Sequence, residues 1–297
     1  MKYLKKYSGY FLFLLLGIFI ATGVQLVLAH GGNPNYIHTC VGTGIINQGR
    51  LRVIAPNGTC NANEAPLDWQ QFPEPGTEFP FICGGCELNG ITVLQGRNLT
   101  NAWFSSTNMT NSNFDNSNLT NANLSLVNAG NSNFQNANFT NTNLATAYIN
   151  SSNIQGALFN NSDMTNAEFG AVNGVGANFT GINGSNLSMS SANLENSILI
   201  NANLTNAFLS QSNFDNSDFT GANLTNVELT GDQASLDNAN FTNANFTDTK
   251  FNFPGGGISG VDLSTAILTG VIWSNTTCPD GTNSDDNGNT CEGHLVP

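Results

Sequence analysis

From Arg97 to Gly231 the large apolar residues of this chain fall on every fifth position. Counting 99, 104, 109 and onward to 229 gives 27 centres, of which 24 are Leu, Phe, Ile or Met and the exceptions are Ala129, Gly174 and Gly184. Two residues before each centre stands Ala, Ser, Thr or Val in 24 of the 27 words, as in Ala122-Asn123-Leu124 and Ser212-Asn213-Phe214. A period of five fits neither the 3.6-residue turn of a helix nor the two-residue alternation of a strand. The intervening Asn, Ser, Thr and Gly are also poor helix formers, because short polar side chains compete for the backbone and Gly costs about 1 kcal/mol against Ala. The pattern predicts a solenoid whose wall turns a corner once per word.

These words resemble the pentapeptide-repeat family over roughly residues 92–275. The resemblance implies an all-β fold, a right-handed four-sided β-helix with four words per coil, in which the centre and the small residue point inward. The residues support an interior on their own. At Gly184 the order of large and small reverses, Ile182 taking the small site, so that interior volume is kept as close packing requires. If a coil holds twenty residues, positions twenty apart share a wall, and the walls differ. One carries Thr100, Thr120, Thr140, Asn160, Thr180, Ile200 and Thr220 after its centres; another carries Asn113, Asn133, Asn153, Asn173, Asn193 and Asn213 before them.

Two slips interrupt the count, around Gly231-Asp232-Gln233 and at Pro254-Gly255-Gly256-Gly257 before Ile258, and each is expected to add two residues as a bulging loop. Leu236, Phe241, Phe246, Phe251 and later Leu263, Leu268 and Trp273 resume the spacing. Eight to nine coils follow, roughly 40 Å at the ~4.8 Å strand separation. With each buried Leu or Phe contributing on the order of 2 kcal/mol, the core is ample although only 39% of residues are hydrophobic.

The chain divides into residues 1–29, 30–91, 92–275 and 276–297. In the first, Lys2, Lys5 and Lys6 precede an apolar run from Tyr10 to Ala29, and Val27-Leu28-Ala29 has the small-residue spacing of a cleavage site. This segment is expected to be a cleaved signal peptide or a retained membrane anchor, and either places the remainder outside the cytoplasm. Residues 30–91 hold Cys40, Cys60, Cys83 and Cys86, a hairpin strand at Arg50-Leu51-Arg52-Val53-Ile54, and a first repeat word at Cys86-Glu87-Leu88-Asn89-Gly90. The stretch from Tyr36 through Cys60 to Trp69 resembles a small cystine-closed module of bacterial surface proteins. The tail from Cys278 to Cys291 is similar to the closing tails of exported members of the repeat family. An even count of six cysteines outside the regular words agrees with an oxidising compartment. Fifteen pairings are open, and the sequentially nearest is expected: Cys40 with Cys60, Cys83 with Cys86, Cys278 with Cys291.

Net charge excludes one class of partner. The formal net is −13, and removal of three lysines with residues 1–29 takes it to −16, so no basic surface exists for nucleic acid. The family resemblance implies a different idea, a DNA mimic that occupies a topoisomerase. Against it, residues 92–275 carry eleven acids and two bases, one net charge per ~4 Å where duplex DNA carries one per ~1.7 Å. The acids are also scattered, only Asp115, Glu195, Asp215 and Asp237 sharing a rank.

The sequence argues against an enzyme. His30, His38 and His294 all lie outside the repeats and beside no recognisable nucleophile, and a filled solenoid has no cleft. No cofactor or metal site is expected. Cys83-Gly84-Gly85-Cys86 is half of a zinc pattern without its second half. Asn283, Asp285, Asn287 and Gly288 imitate the start of a calcium loop that ends on His294 where Glu is needed.

The candidate binding face is the Asn-x-Thr rank: Asn98 and Thr100, Asn118 and Thr120, Asn138 and Thr140, Asn178 and Thr180, then Thr220, Asn240 and Thr242. Its regular hydroxyls resemble the threonine arrays of ice-binding solenoids. The expected role is a structural or adhesive scaffold at the cell surface or in the periplasm, with an ice- or polymer-surface binder as the alternative and the DNA mimic as the next. Partners are an unidentified protein or surface ligand, a membrane only through residues 1–29 if uncleaved, and a second copy in a possible homodimer.

Overall fold

A five-residue word with Asn before its centre can close all five of its backbone amides, and the word Asn133–Ala137 shows how. Asn133 N donates down to Ser112 O at 2.9 Å, while Phe134 N and Asn136 N donate up to Asn153 O at 2.7 Å and Gln155 O at 2.9 Å. Ala137 N turns back to Phe134 O at 3.0 Å, forming a β-turn at the corner. The fifth amide, Gln135 N, donates to the side-chain Oδ1 of Asn133 at 3.2 Å. Asn before the centre is thus a backbone partner in an Asx turn, and buried amides need such partners.

The corner needs one residue with positive φ. Every fifth residue from Asn101 to Asn226 has it, with the non-glycine members at φ 54–63°. Asn is the side-chain-bearing residue that tolerates this region best, which explains its abundance there. The corner amides stack as well: Asn136, Asn141, Asn186 and Asn226 each donate Nδ2 to the corner Asn one coil before, at 2.8–3.4 Å.

The computed structural model describes the strands 36–42, 51–53 and 64–70 by their backbone, and residues 84–85, 87–92, 94–252 and 260–296. Parallel bridges join the coils in unbroken columns. The column Glu87, Asn108, Asn128, Tyr148, Glu168, Ser188, Phe208, Glu228, Lys250, Thr277 contains nine of them, about 43 Å at ~4.8 Å each. Below, wall 1 has its centres at 99, 119 and onward, wall 2 at 104, 124, wall 3 at 109, 129, and wall 4 at 114, 134.

Among the described residues one continuous cluster of buried side chains fills the interior from Leu88 to Trp273. Phe114, Phe134 and Phe214 are all fully buried on wall 4. Rings stack coil upon coil, Phe139 to Phe159 at 4.7 Å and Phe159 to Phe179 at 5.0 Å, each pair 5° from parallel. The expected exchange at Gly184 is present. Ile182 and Leu187 are buried on either side, and a Gly184 Cβ would stand 3.1 Å from both Leu187 Cδ2 and Leu204 Cδ2.

Serines at the small site extend the amide network into the core. On wall 3 the turn bond gives way to a hydroxyl ladder, in which Ser112 N donates to Ser132 Oγ at 3.1 Å and Ser132 N to Ser152 Oγ at 3.0 Å. Ser132 Oγ in turn donates to Met109 O at 2.8 Å. Ser117 Oγ is the contrast, buried with no hydrogen-bond partner among the described residues.

The first slip adds two residues, since Asn213 pairs with Ser235. The second adds seven and not two, because Asn240 pairs with Ile267, 27 residues on. Leu263, fully buried, is the next centre after Phe251, with Val261 buried at the small site before it. Val261 N donates to Phe251 O at 3.0 Å. Ile258 lies outside the described residues. Gly260 approaches the tail so closely that a Cβ would overlap Pro279 O.

Toward the N-terminus, β1 (Tyr36–Gly42) is flanked by β2 (Leu51–Val53) and β3 (Glu64–Gln70) in a three-stranded antiparallel sheet. The expected strand around Leu51 is therefore present, paired with β1. The predicted word at Glu87-Leu88 is also present, with Leu88 buried and Glu87 bridged to Asn108. Past Trp273 the tail returns over the last coil. Leu263 N donates to Leu295 O at 2.8 Å, Thr277 pairs with Asn283, and Ser284–Asn287 forms a 3-10 turn. The buried disulfide Cys278–Cys291 closes this tail as expected. Cys60, Cys83 and Cys86 lie outside the described residues, and of Cys40 only the backbone is described.

Two substitutions separate these contributions. Ser132→Ala strips partners from the buried Ser112 amide and the Met109 carbonyl and is expected to cost ~1–3 kcal/mol in denaturant unfolding, whereas Ser117→Ala is expected to be neutral or stabilising. Gly184→Leu is expected to cost ~1–3 kcal/mol by overpacking, and Leu187→Ala in the same chain to recover part of that loss.

Candidate functional site

With the interior filled, recognition chemistry is confined to the outward ranks of the four walls. Wall 1 brings the predicted Asn-x-Thr residues together: bridges run Asn98, Asn118, Asn138, Leu158, Asn178, Ile198, Asp218, Asn240. Except at Thr180, their hydroxyl protons are already used. Thr100, Thr120 and Thr140 each donate Oγ1 to the Oδ1 of Asn98, Asn118 and Asn138 at 2.6 Å, and Thr242 donates to Asn240 at 2.7 Å. Thr220 does the same to Asp218 at 2.6 Å, and receives Nδ2 of Asn240 at 3.0 Å. Thr180 N donates to Asn178 Oδ1 at 2.9 Å. What this wall offers outward is therefore hydroxyl lone pairs and methyl groups, interrupted by Leu158 and Ile198.

Wall 2 holds the longer array, which the sequence reading did not single out. Asn203 donates Nδ2 to Asn183 Oδ1 at 3.2 Å and Ser185 Oγ at 3.0 Å; Asn223 repeats this toward Asn203 and Thr205, and Asn245 toward Asn223 and Thr225. Thr205, Thr225 and Thr247 each donate Oγ1 to their own Asn at 2.6–2.7 Å. The signal was legible: the residue before each centre from 123 to 245 on this wall is Asn or Asp.

Wall 4 stacks its asparagines, Asn133 on Asn113 at 3.2 Å and Asn153 on Asn133 at 3.1 Å. Of the acids sharing this wall, Asp215 accepts Ser235 Oγ and, at 2.9 Å, Asp237 N. Wall 3 carries exposed rings at Tyr148 and Phe208 with glutamates one coil above each, so Glu168 and Glu228 share a rank in addition to the acids of wall 4; a third exposed ring, Trp103, stands on wall 2.

In the tail, the residues that imitate a calcium loop bond to one another and to the coil. Asn283 Oδ1 accepts Asp285 N at 2.9 Å, Asp285 Oδ1 accepts Asn275 N at 2.7 Å, and Asn287 Nδ2 donates to Thr282 Oγ1 at 2.8 Å. Among the described residues no group of three or more His, Cys, Asp or Glu is placed to hold a metal ion. Asp280 lies 2.5 Å from His294 Nδ1. Partial burial alone would raise the Asp280 pKa, but hydrogen bonds from the Thr282 hydroxyl and amide and the neighbouring His294 outweigh it and hold the carboxyl below its ordinary 3.8.

A filled, four-walled solenoid with a five-residue word defines the class, and the sequence comparison agrees. The pentapeptide-repeat model matches residues 92–128 and 130–253, more than half of the 297 residues, and the chain belongs to the pentapeptide-repeat family. Its fold is accordingly the family's right-handed quadrilateral β-helix. No curated protein matches the chain. Among solved structures it is similar to HetL, a pentapeptide repeat protein involved in heterocyst differentiation regulation from Nostoc sp. strain PCC 7120. Identity there is 22%, over 68% of this chain and 91% of that one, with a TM-score of 0.34. QnrB1, a plasmid-mediated fluoroquinolone resistance protein, is 22% identical over 62% of this chain and 92% of that one, with a TM-score of 0.36. A thylakoid-lumen pentapeptide repeat protein of Arabidopsis thaliana is 23% identical over 46% and 70%, with a TM-score of 0.18.

Two measurements follow. Asn203→Ala removes the link between three coils on wall 2 and is expected to lower unfolding stability by ~1–2 kcal/mol, against less than ~1 kcal/mol for Thr120→Val. Because Asp280 is depressed in the folded chain, its contribution is present above pH 3.8 and fades as pH falls through the lower folded value. Asp280→Asn is expected to narrow the stability difference between neutral and strongly acidic pH, measured by thermal melts.

Proposed function

We propose that this chain is an exported, non-enzymatic rod that acts as a structural or adhesive scaffold at the cell surface or in the periplasm. The observation that carries the reading is the continuous buried cluster from Leu88 to Trp273 among the described residues, which leaves the sides of the rod as the place for recognition. Family membership agrees with a scaffold or binder without catalysis. Export is supported by the buried Cys278–Cys291 disulfide, a bond that persists in oxidising compartments, and by the lysine-led apolar run of residues 1–29 in the sequence.

The tail from Cys278 serves as a cap over the last coil in this reading, holding back end-to-end association at that end. The sheet of β1, β2 and β3 belongs to a module that precedes the rod. The ligand is a protein or a surface polymer lying along a wall, with the Asn-x-Thr rank of wall 1 as the first candidate. The roles attached to HetL and QnrB1 remain those proteins' own.

Cell fractionation with mass spectrometry tests the compartment. A mature N-terminus at His30, or an intact chain in the membrane fraction, together with the 278–291 cystine, is the expected result; a cytosolic chain with reduced cysteines would overturn the reading. Replacing Cys278 and Cys291 by Ala is expected to cost about 3 kcal/mol, the loop-closure contribution for a 13-residue separation, measured by denaturant unfolding.

A further inference from the structure

Wall 3 repeats one unusual pairing. Tyr148 is 43% exposed and Phe208 49% exposed, and each is bridged in register to a glutamate one coil above, Glu168 and Glu228. Such large rings in solvent are few on this rod, Trp103 on wall 2 being the third among the described residues and having Asn123 instead of a glutamate one coil above, and aromatic residues are enriched at binding hot spots. The Tyr148 ring rests on Gly130, its Cε1 2.9 Å from where a Cβ would stand, so the smallest residue receives one edge while the rest of the ring stays in water.

The two pairs differ in what lies above them. Over Phe208 and Glu228 comes Lys250, whose Nζ is 3.2 Å from Glu228 Oε1. Over Tyr148 and Glu168 comes Ser188, and among the described residues no cation lies within ion-pair distance of Glu168. Glu168 is nevertheless held in place, because Asn150 Nδ2 donates to its Oε2 at 3.2 Å. Its Oε1 has no partner among the described residues. The chain itself thus shows an ammonium group seated on a glutamate that stands one coil above a ring at one end of this stretch, and the same ring-and-glutamate order at the other.

We propose that Tyr148 and Glu168 form a docking site for a Lys or Arg side chain carried by an extended basic segment of a partner protein. The cation pairs with the Glu168 carboxylate and meets the Tyr148 ring, two attractions that reinforce each other at a partly desolvated surface. Charge complementarity names the partner: residues 92–275 carry eleven acids against two bases, so the rod repels anionic polymers and attracts basic ones. From Tyr148 to Phe208 is three coils, about 14 Å, so a segment of four or five extended residues spans from one ring to the other. The site is a discrete ring and carboxylate and requires no spread of charge along the rod. It stands whether or not the chain is exported.

Fluorescence anisotropy of labelled hexalysine, titrated with the full chain, tests this. Glu168→Gln and Tyr148→Leu are expected to weaken binding at least threefold, roughly the worth of one cation–π contact or exposed ion pair. Asp115→Asn, which removes the same charge from wall 4, is expected to leave it unchanged. Lys250→Ala, which frees Glu228, is expected to add a second binding site and raise the stoichiometry. Unchanged melting temperatures of the variants would show that folding is intact, and Glu168→Gln alone carries the test if Tyr148→Leu melts early. Equal losses with Asp115→Asn and Glu168→Gln, no loss with Glu168→Gln, or no binding of hexalysine would overturn the proposal.

Discussion

The whole molecule depends on closing five backbone amides in five residues. Two donate upward, one downward and one around the corner, and the last has no main-chain acceptor within reach. Asn supplies that acceptor from its own side chain, as Asn133 does for Gln135. An unclosed buried amide costs on the order of 1–3 kcal/mol, and 19 of the 27 words from 99 to 229 carry Asn or Asp before the centre, so the series as a whole favours this shape. The period of five, the asparagines and the four walls are one constraint seen from three sides.

That constraint governs function as well. Side chains recruited to the backbone are not free to bind anything else, and from Thr100 to Thr247 the threonines after the centres of walls 1 and 2, Thr180 excepted, have given their protons to the Asn or Asp two residues before. The regular polar surface is largely self-satisfied. Groups that stand outside this closure carry more information, and wall 3 concentrates them: Tyr148 and Phe208 in solvent, Glu168 with one oxygen unpartnered among the described residues, and Lys250 showing what such an oxygen accepts. An ordinary reading of repeats looks for the most regular rank. Here the irregular one has the chemistry.

Much of the fold was legible in the order of residues, and the failures have definite causes. The exchange at Gly184 with Ile182 was readable because volume is conserved locally. The second slip was misjudged because insertions of two and seven leave the same remainder on division by five, and Ile258 imitates a centre; only the pairing of Asn240 with Ile267 distinguishes them. The corner asparagines read simply as polar, since the demand for positive φ at Asn101 or Asn136 is a property of backbone torsion and not of hydropathy. Wall 1 was preferred over wall 2 on the strength of its threonines, although Asn183, Asn203, Asn223 and Asn245 formed the longer series.

What the amino-acid order determined by itself was the period, the inward residues and the places where the count breaks, because these follow from local steps along the chain. The tertiary structure decided which ranks adjoin, which hydroxyls keep their protons and which carboxylates lack a cation. Those outcomes rest on partners twenty or more residues away, and a hydrogen bond or ion pair between coils exists only once winding has set the two groups about 4.8 Å apart.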